Sequence, residues 1–233
     1  MRCAKFFLLI FFAWAIIFAP AVTEATPTTV ILVRHGQTIY NAQGRFQGFL
    51  DIPLSDNGLA QAKLLAKSLK DYPIDVFISS PLERAYVTTE LVAKAQGKTI
   101  AYTDDRFKEI NYGDFAGLTP EERKARFPIE DELWMNRPWL VKFPNGENLR
   151  DLEYRSRNAL KDAVAKYPGK TIFIGTHSRV NMVLICSVLG IDLEHFWQIE
   201  SDNTSVNVLR YEDGVWSAVL INSVAHLGKL TMD

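Results

Sequence analysis

Apolar residues in this chain follow two rhythms. Residues 29–33 (TVILV), 76–79 (VFIS) and 171–176 (TIFIGT) are short runs rich in β-branched and aromatic residues, the pattern of strands buried on both faces. Between them the spacing changes. Leu59, Ala62, Leu65, Ala66 and Leu69 recur at helical intervals behind Ser55 and Asp56, either of which suits an N-cap. A second helix is predicted over residues 82–95, stopped by Gly97, and a short third strand over 100–103. A long amphipathic helix follows over 148–167, ended by Pro168-Gly169, and an apolar helix over 181–189. Residues 205–210 and 215–222 read as a closing strand pair joined at Asp213-Gly214.

Strands alternating with helices predict an α/β fold of three layers, α/β/α, around a mostly parallel central sheet. Ligands of such sheets bind beyond the carboxyl ends of the strands. Arg34-His35 follows the first strand, and Ser79-Ser80-Pro81 ends the second, with Arg84 one turn into the next helix. His177-Ser178-Arg179 follows TIFIGT. Three strand ends therefore deliver two histidines and at least two arginines to one edge of the sheet, a concentration of cationic and hydrogen-bonding groups suited to an anion.

Composition narrows the field. The 233 residues are 48% hydrophobic and 23% charged, enough for one sizeable core, and the net charge of −1 gives no electrostatic footprint for nucleic acid. Residues 1–25 are different in kind: Arg2 and Lys5 precede an apolar run from Phe6 to Phe18, and small residues follow, with Ala19-Pro20-Ala21 and Thr23-Glu24-Ala25 as cleavage candidates. This is the layout of a signal peptide, with an N-terminal membrane anchor as the competing reading. Under either, residues 26–233 form one domain that is exported, periplasmic or secreted, and any membrane contact is made through the N-terminal segment. Of the two cysteines, Cys3 falls in that segment and Cys186 lies in an apolar stretch, so no internal disulfide is expected.

The chemistry of the histidines can be narrowed by elimination. Zinc sites use three or four ligands, commonly with a short-range pair such as HExxH, and the histidines at 35, 177, 195 and 226 form none. No G-x-S-x-G elbow and no P-loop occurs, although Ser178 does stand at a strand end. A phosphoryl group spreads charge over three oxygens and is matched by arginine forks, and a histidine among them can attack phosphorus.

RHGQT with Asn41 beyond it, RFQGFLDIPLSDNGLAQA, SSPLERAYVTT, a glutamate before Gly113 and Gly117, FPNGENLRDLEYR, and THS after a strand occur in that order over most of residues 26–233. The set resembles the histidine phosphatase superfamily (phosphoglycerate mutase-like). The resemblance implies a phosphoglycerate mutase-like fold, with His35 as the nucleophile and Glu109, in KEINYGDFAG, as general acid and base. It implies phosphate binding by Arg34, Asn41, Arg84 and His177, and a substrate mouth lined by Gln47 and Gly48. It implies no metal and no cofactor, because arginines supply the positive charge. Ser178 departs from the glycine that the family usually carries there. Arg45, Arg106 and Arg179 are expected at the surface or in salt bridges, and His195 and His226 are expected to be structural.

Mutases and phosphatases of this kind share a pocket. The insert at about residues 121–145 (EERKARFPIEDELWMNRPWLVKFPN) lacks an Arg-Arg pair and carries Glu130, Asp131 and Glu132, which would repel phosphoglycerate. Trp134, Trp139 and Phe143 suggest a half-apolar lid, with packing onto the sheet as the alternative. The expected activity is a phosphomonoesterase acting on a small phosphorylated substrate. The alternatives are a mutase-type phosphotransferase, an α-ribazole phosphatase, or a phosphoryl-binding protein without turnover. The oligomeric state is left open.

Overall fold

Three parallel strand ends lie level in the structure, a computed structural model that describes residues 26–228. The strands are β1 (Thr28–Arg34), β2 (Val76–Ser79), β3 (Tyr102–Thr103), β4 (Thr171–Thr176), β5 (Val206–Glu212) and β6 (Val215–Ser223). They form one sheet in the order β3-β2-β4-β1-β5-β6, parallel from β3 to β1 and antiparallel beyond. Arg34 is in register with Thr176, and Ser79 with Gly175. The segment of residues 1–25, read above as a signal peptide or anchor, lies outside the described residues. Among the described residues no helix is long and apolar enough to cross a membrane.

The helices are α1 (Ile39–Ala42), α2 (Asp56–Ser68), α3 (Glu83–Ala95), α4 (Pro120–Arg126), α5 (Pro128–Asn136), α6 (Leu149–Lys166) and α7 (Ser178–Leu189). Alternation along β1 divides the core: Val30 and Leu32 join one apolar cluster, Ile31 and Val33 the other. Buried residues of α6 and α7 belong to the first cluster and those of α2 and α3 to the second, completing the three layers. Gly175 lets α3 lie close on β4, since a Cβ there would come 1.8 Å from Thr89 Oγ1.

Boundaries differ from expectation in three places. The third strand is reduced to Tyr102–Thr103 at the sheet edge. The last long helix starts at Ser178 instead of 181, because its first turn carries polar residues that the apolar rhythm does not mark; the His177 carbonyl accepts from Asn181 N–H, making His177 the N-cap. The insert forms α4 and α5, each opened by a proline at its first position, with a capping box between Thr119 and Glu122.

The insert aromatics are core. Trp134 is 1% exposed and packs against Phe46, Tyr112, Phe143, Phe196 and Trp197, while Phe143 is buried and Trp139 half-buried against the same cluster. A mobile lid would leave them in water when open. Trp134→Ala is expected to lower unfolding free energy by about 3–5 kcal/mol in urea titrations without substrate; a loss below about 1 kcal/mol would fit a lid instead.

Candidate active site

The first strand end presents a histidine held at both its backbone and its ring. The His35 carbonyl accepts from Thr204 N–H at 3.2 Å and from Asn203 Nδ2 at 3.1 Å. The ring is buried, and its Nδ1 lies 2.7 Å from the Gly36 carbonyl. A carbonyl can only accept, so Nδ1 carries the proton and Nε2 keeps a lone pair. Burial, then the charges of Arg84 and Arg34, push the His35 pKa well below the ordinary imidazole value. Gly36 is required by a close crossing, because a Cβ there would sit 2.4 Å from the Gly58 carbonyl oxygen at the start of α2.

Around it lie cations held by carbonyl oxygens. Arg84, on the first turn of α3 and 1% exposed, donates to the carbonyls of Leu50 at 2.7 Å and Gly48 at 2.8 Å. Arg34 donates to the Ser201 carbonyl. Burial is the main cause that lowers both guanidinium pKa values to about 10, which leaves them charged at neutral pH. His177 is buried with its ring centroid 5.2 Å from that of His35. Its Nε2 lies 2.8 Å from Ser80 Oγ, which itself accepts from Leu82 N–H. The ring nitrogen is the one acceptor within reach of that hydroxyl proton among the described residues, which leaves His177 Nδ1 as an N–H donor. Burial, then Arg84, holds His177 neutral as well. Arg34 Nε, Arg84 Nε and His177 Nδ1 are buried donors with no partner among the described residues. Such groups are costly unless an acceptor arrives.

The remaining expected residues join them. Glu109 is 7% exposed; its Oε1 accepts from Ile110 N–H at 2.9 Å and its Oε2 from Arg179 N–H at 3.3 Å. Its loop is pinned from α6 by Arg155, which donates to the carbonyls of Arg106, Lys108 and Glu109 while gripping Glu147. Asn41 Oδ1 accepts from Thr38 N–H and from Asn203 Nδ2, so its amide N–H2 is turned away from those partners. Gln47 Oε1 accepts from Thr38 Oγ1 at 3.0 Å. Gly48 has a φ of +54° and would carry a Cβ 2.9 Å from the Ile110 carbonyl oxygen, so only glycine turns its own carbonyl toward Arg84 without strain. A cavity of about 460 Å³ is lined by Arg34, His35, Asn41, Gln47, Gly48, Arg84 and Glu109.

One arginine departs from expectation. Arg106 is salt-bridged to Asp104 and Asp162, as expected. Arg179 is neither at the open surface nor salt-bridged: it lines the cavity and touches Tyr112 and Ser178. Arg45 is salt-bridged to Glu122 and lines the cavity too. The only sequence signal for Arg179 was its place directly after a strand-end THS. Ser178 fits the first helical position, and its hydroxyl is turned to Met182 Sδ and Arg179. His195 is exposed, and His226 contacts Thr204 Oγ1 at 2.9 Å. Among the described residues no three His, Cys, Asp or Glu gather as a metal would need.

Comparison with known proteins gives a family and a fold for most of the chain. The family model of the histidine phosphatase superfamily (branch 1) matches residues 30–224. Phosphoserine phosphatase 1 of Hydrogenobacter thermophilus is 34% identical over 204 residues, covering 88% of this chain and 96% of that protein. Among solved structures, Bacillus stearothermophilus YhfR superposes with a TM-score of 0.82 at 30% identity, covering 86% of this chain and 99% of its own. A mycobacterial glucosyl-3-phosphoglycerate phosphatase complexed with VO3 gives 0.77 at 27% identity, covering 84% and 99%.

A neutral buried histidine links stability to pH. The folded pKa of His35 lies below the unfolded value of about 6.5, so the unfolded chain takes up the proton first as pH falls. This group's cost to stability is absent above about pH 6.5 and grows, by up to about 1.4 kcal/mol per pH unit, toward the folded pKa. The thermal midpoint should fall from pH 7 to pH 5, and fall less in His35→Asn. Equal slopes would mean that the folded ring titrates like a free imidazole.

Proposed function

Given that this chain belongs to the histidine phosphatase superfamily (branch 1), we propose that it is a phosphomonoesterase that hydrolyses small phosphate esters through a phosphohistidine on His35. The observation that carries the reading is the unprotonated Nε2 of His35 among three buried donors that lack acceptors.

The reaction follows from these groups. The Nε2 lone pair forms a bond to phosphorus as the bond to the ester oxygen breaks. Arg34, Arg84 and His177 donate to the three oxygens of the passing phosphoryl group, with the Asn41 amide as a further uncharged donor. Glu109 serves as the general acid and gives a proton to the departing alkoxide. As a carboxylate it then takes a proton from water, whose oxygen bonds to phosphorus while the P–N bond breaks. The electron pair of that bond returns to Nε2, releasing inorganic phosphate and a protonated Glu109. Charge on the phosphoryl group is met by guanidinium groups throughout, so the route runs without a metal. Gln47 and Gly48 line the path by which the ester enters.

Residues 1–25 support the further proposal that the enzyme is exported. A fusion of that segment to a reporter active only outside the cytoplasm should give signal, and a silent fusion would remove this part of the reading.

Hydrolysis of p-nitrophenyl phosphate with EDTA present tests the chemistry. Release should persist in EDTA and disappear in His35→Ala. Glu109→Gln should slow esters of poor leaving groups by about 10²–10⁴-fold. Undiminished turnover by His35→Ala would overturn the mechanism.

A further inference from the structure

We propose that Arg179 is a specificity residue that binds a carboxylate on the alcohol part of the substrate, so that the site selects phosphate esters of hydroxy acids. This rests on reading the cavity as a phosphatase site.

Arg179 is a cation of the cavity whose side-chain partners, like those of Arg34 and Arg84, are all neutral. Its Nε donates to Tyr112 Oη at 3.2 Å, and its Nη1 to Ser178 Oγ at 3.2 Å and Met182 Sδ at 3.3 Å. The guanidinium lies over the Trp197 ring, 4.7 Å from its centroid, with Trp134 at 5.8 Å. Among the described residues its side chain forms no salt bridge and no hydrogen bond from Nη2. The other buried or half-buried arginines away from the strand ends are differently placed. Arg123 is paired with Asp131, and Arg155 uses every donor on Glu147 and three carbonyls.

Charge accounting points the same way. A bound phosphate monoester carries two negative charges, which Arg34 and Arg84 offset. Those two and His177 already provide a donor for each of the three phosphoryl oxygens, and Arg179 is a further guanidinium that those oxygens do not need. Its Nη2 offers two unused N–H groups, and the thioether contact of Nη1 is weak enough to exchange for a better acceptor. Aromatic stacking and the Tyr112 hydroxyl hold the plane fixed, so a carboxylate meets a pre-oriented fork. Glu200 and Asp202 also line the cavity and are exposed. They oppose a second phosphate or several carboxylates and tolerate an ammonium group. The alcohol that fits has one carboxylate, with or without an amine.

O-phosphoserine and O-phosphoethanolamine differ only by that carboxylate, and binding to His35→Ala by calorimetry reads the subsite without turnover. Phosphoserine should bind about 10- to 100-fold tighter than phosphoethanolamine. Adding Arg179→Gln should bring the two within about threefold, and Arg179→Lys should restore part of the gap as a point charge. Partial unfolding weakens both ligands together and leaves their ratio, so it cannot mimic this result. Equal affinities in His35→Ala, a gap that survives Arg179→Gln, or no binding of phosphoserine would each overturn the proposal. If the gap behaves as expected while the wild type hydrolyses neither ester nor p-nitrophenyl phosphate, the subsite stands and the phosphatase reading falls.

Discussion

Two guanidinium groups must be kept out of water beside a histidine without neutralising them, and most of the site follows from how this is done. A buried carboxylate would pair with Arg34 or Arg84 and remove the charge that an anion needs. The fold uses backbone carbonyls instead: Leu50 and Gly48 for Arg84, Ser201 for Arg34. Carbonyl dipoles reduce the desolvation cost, which for an unpaired buried ion amounts to several kcal/mol, while leaving the net charge intact. Burial first, and then the same uncancelled charge, keeps His35 and His177 neutral, as the proposed nucleophile and neutral donor require. The site is thus left short of acceptors among the described residues, which the proposed phosphoryl group would supply.

This arrangement needs loops of defined shape, which other parts of the chain enforce. Gly48 takes a positive φ so that its carbonyl meets Arg84. The clamp of Asn203 and Thr204 on the His35 carbonyl fixes the ring from the antiparallel side of the sheet. Arg155, on α6, ties the Glu109 loop to that helix through three carbonyls. Its own charge is paired with Glu147.

The parts legible in the sequence were those set by local pattern. Buried parallel strands leave β-branched runs, and VFIS and TIFIGT matched β2 and β4 residue for residue. Ser55 and Asn148 capped their helices because short polar side chains accept from the first turn. The cluster of His35, Arg34, Arg84 and His177 was legible because strand ends in register must meet. What escaped depended on tertiary company. The capping box at Thr119 and Glu122 was a local sign of α4, but the large aromatics beyond it left lid and core packing both open, because whether Trp134 faces water or core is decided by Phe46, Phe143 and Phe196 from distant segments. Arg179 was expected to be unremarkable because its meaning lies in which carboxylates fail to come near it, and no spacing rule records that.

Chemistry and selectivity meet at one turn of helix yet remain separable there. His177, Ser178 and Arg179 are consecutive, so the phosphoryl donor and the free cation share the start of α7. Glu109 is held by the backbone N–H of Arg179, a contact that any residue except proline can make. The side chain at 179 points its donors elsewhere, to Tyr112, Ser178 and Met182. The position of the acid is therefore set by main chain and the preference for the alcohol by side chain. A pocket built this way can exchange one substrate class for another at residue 179 while the contact that holds Glu109 stays in place.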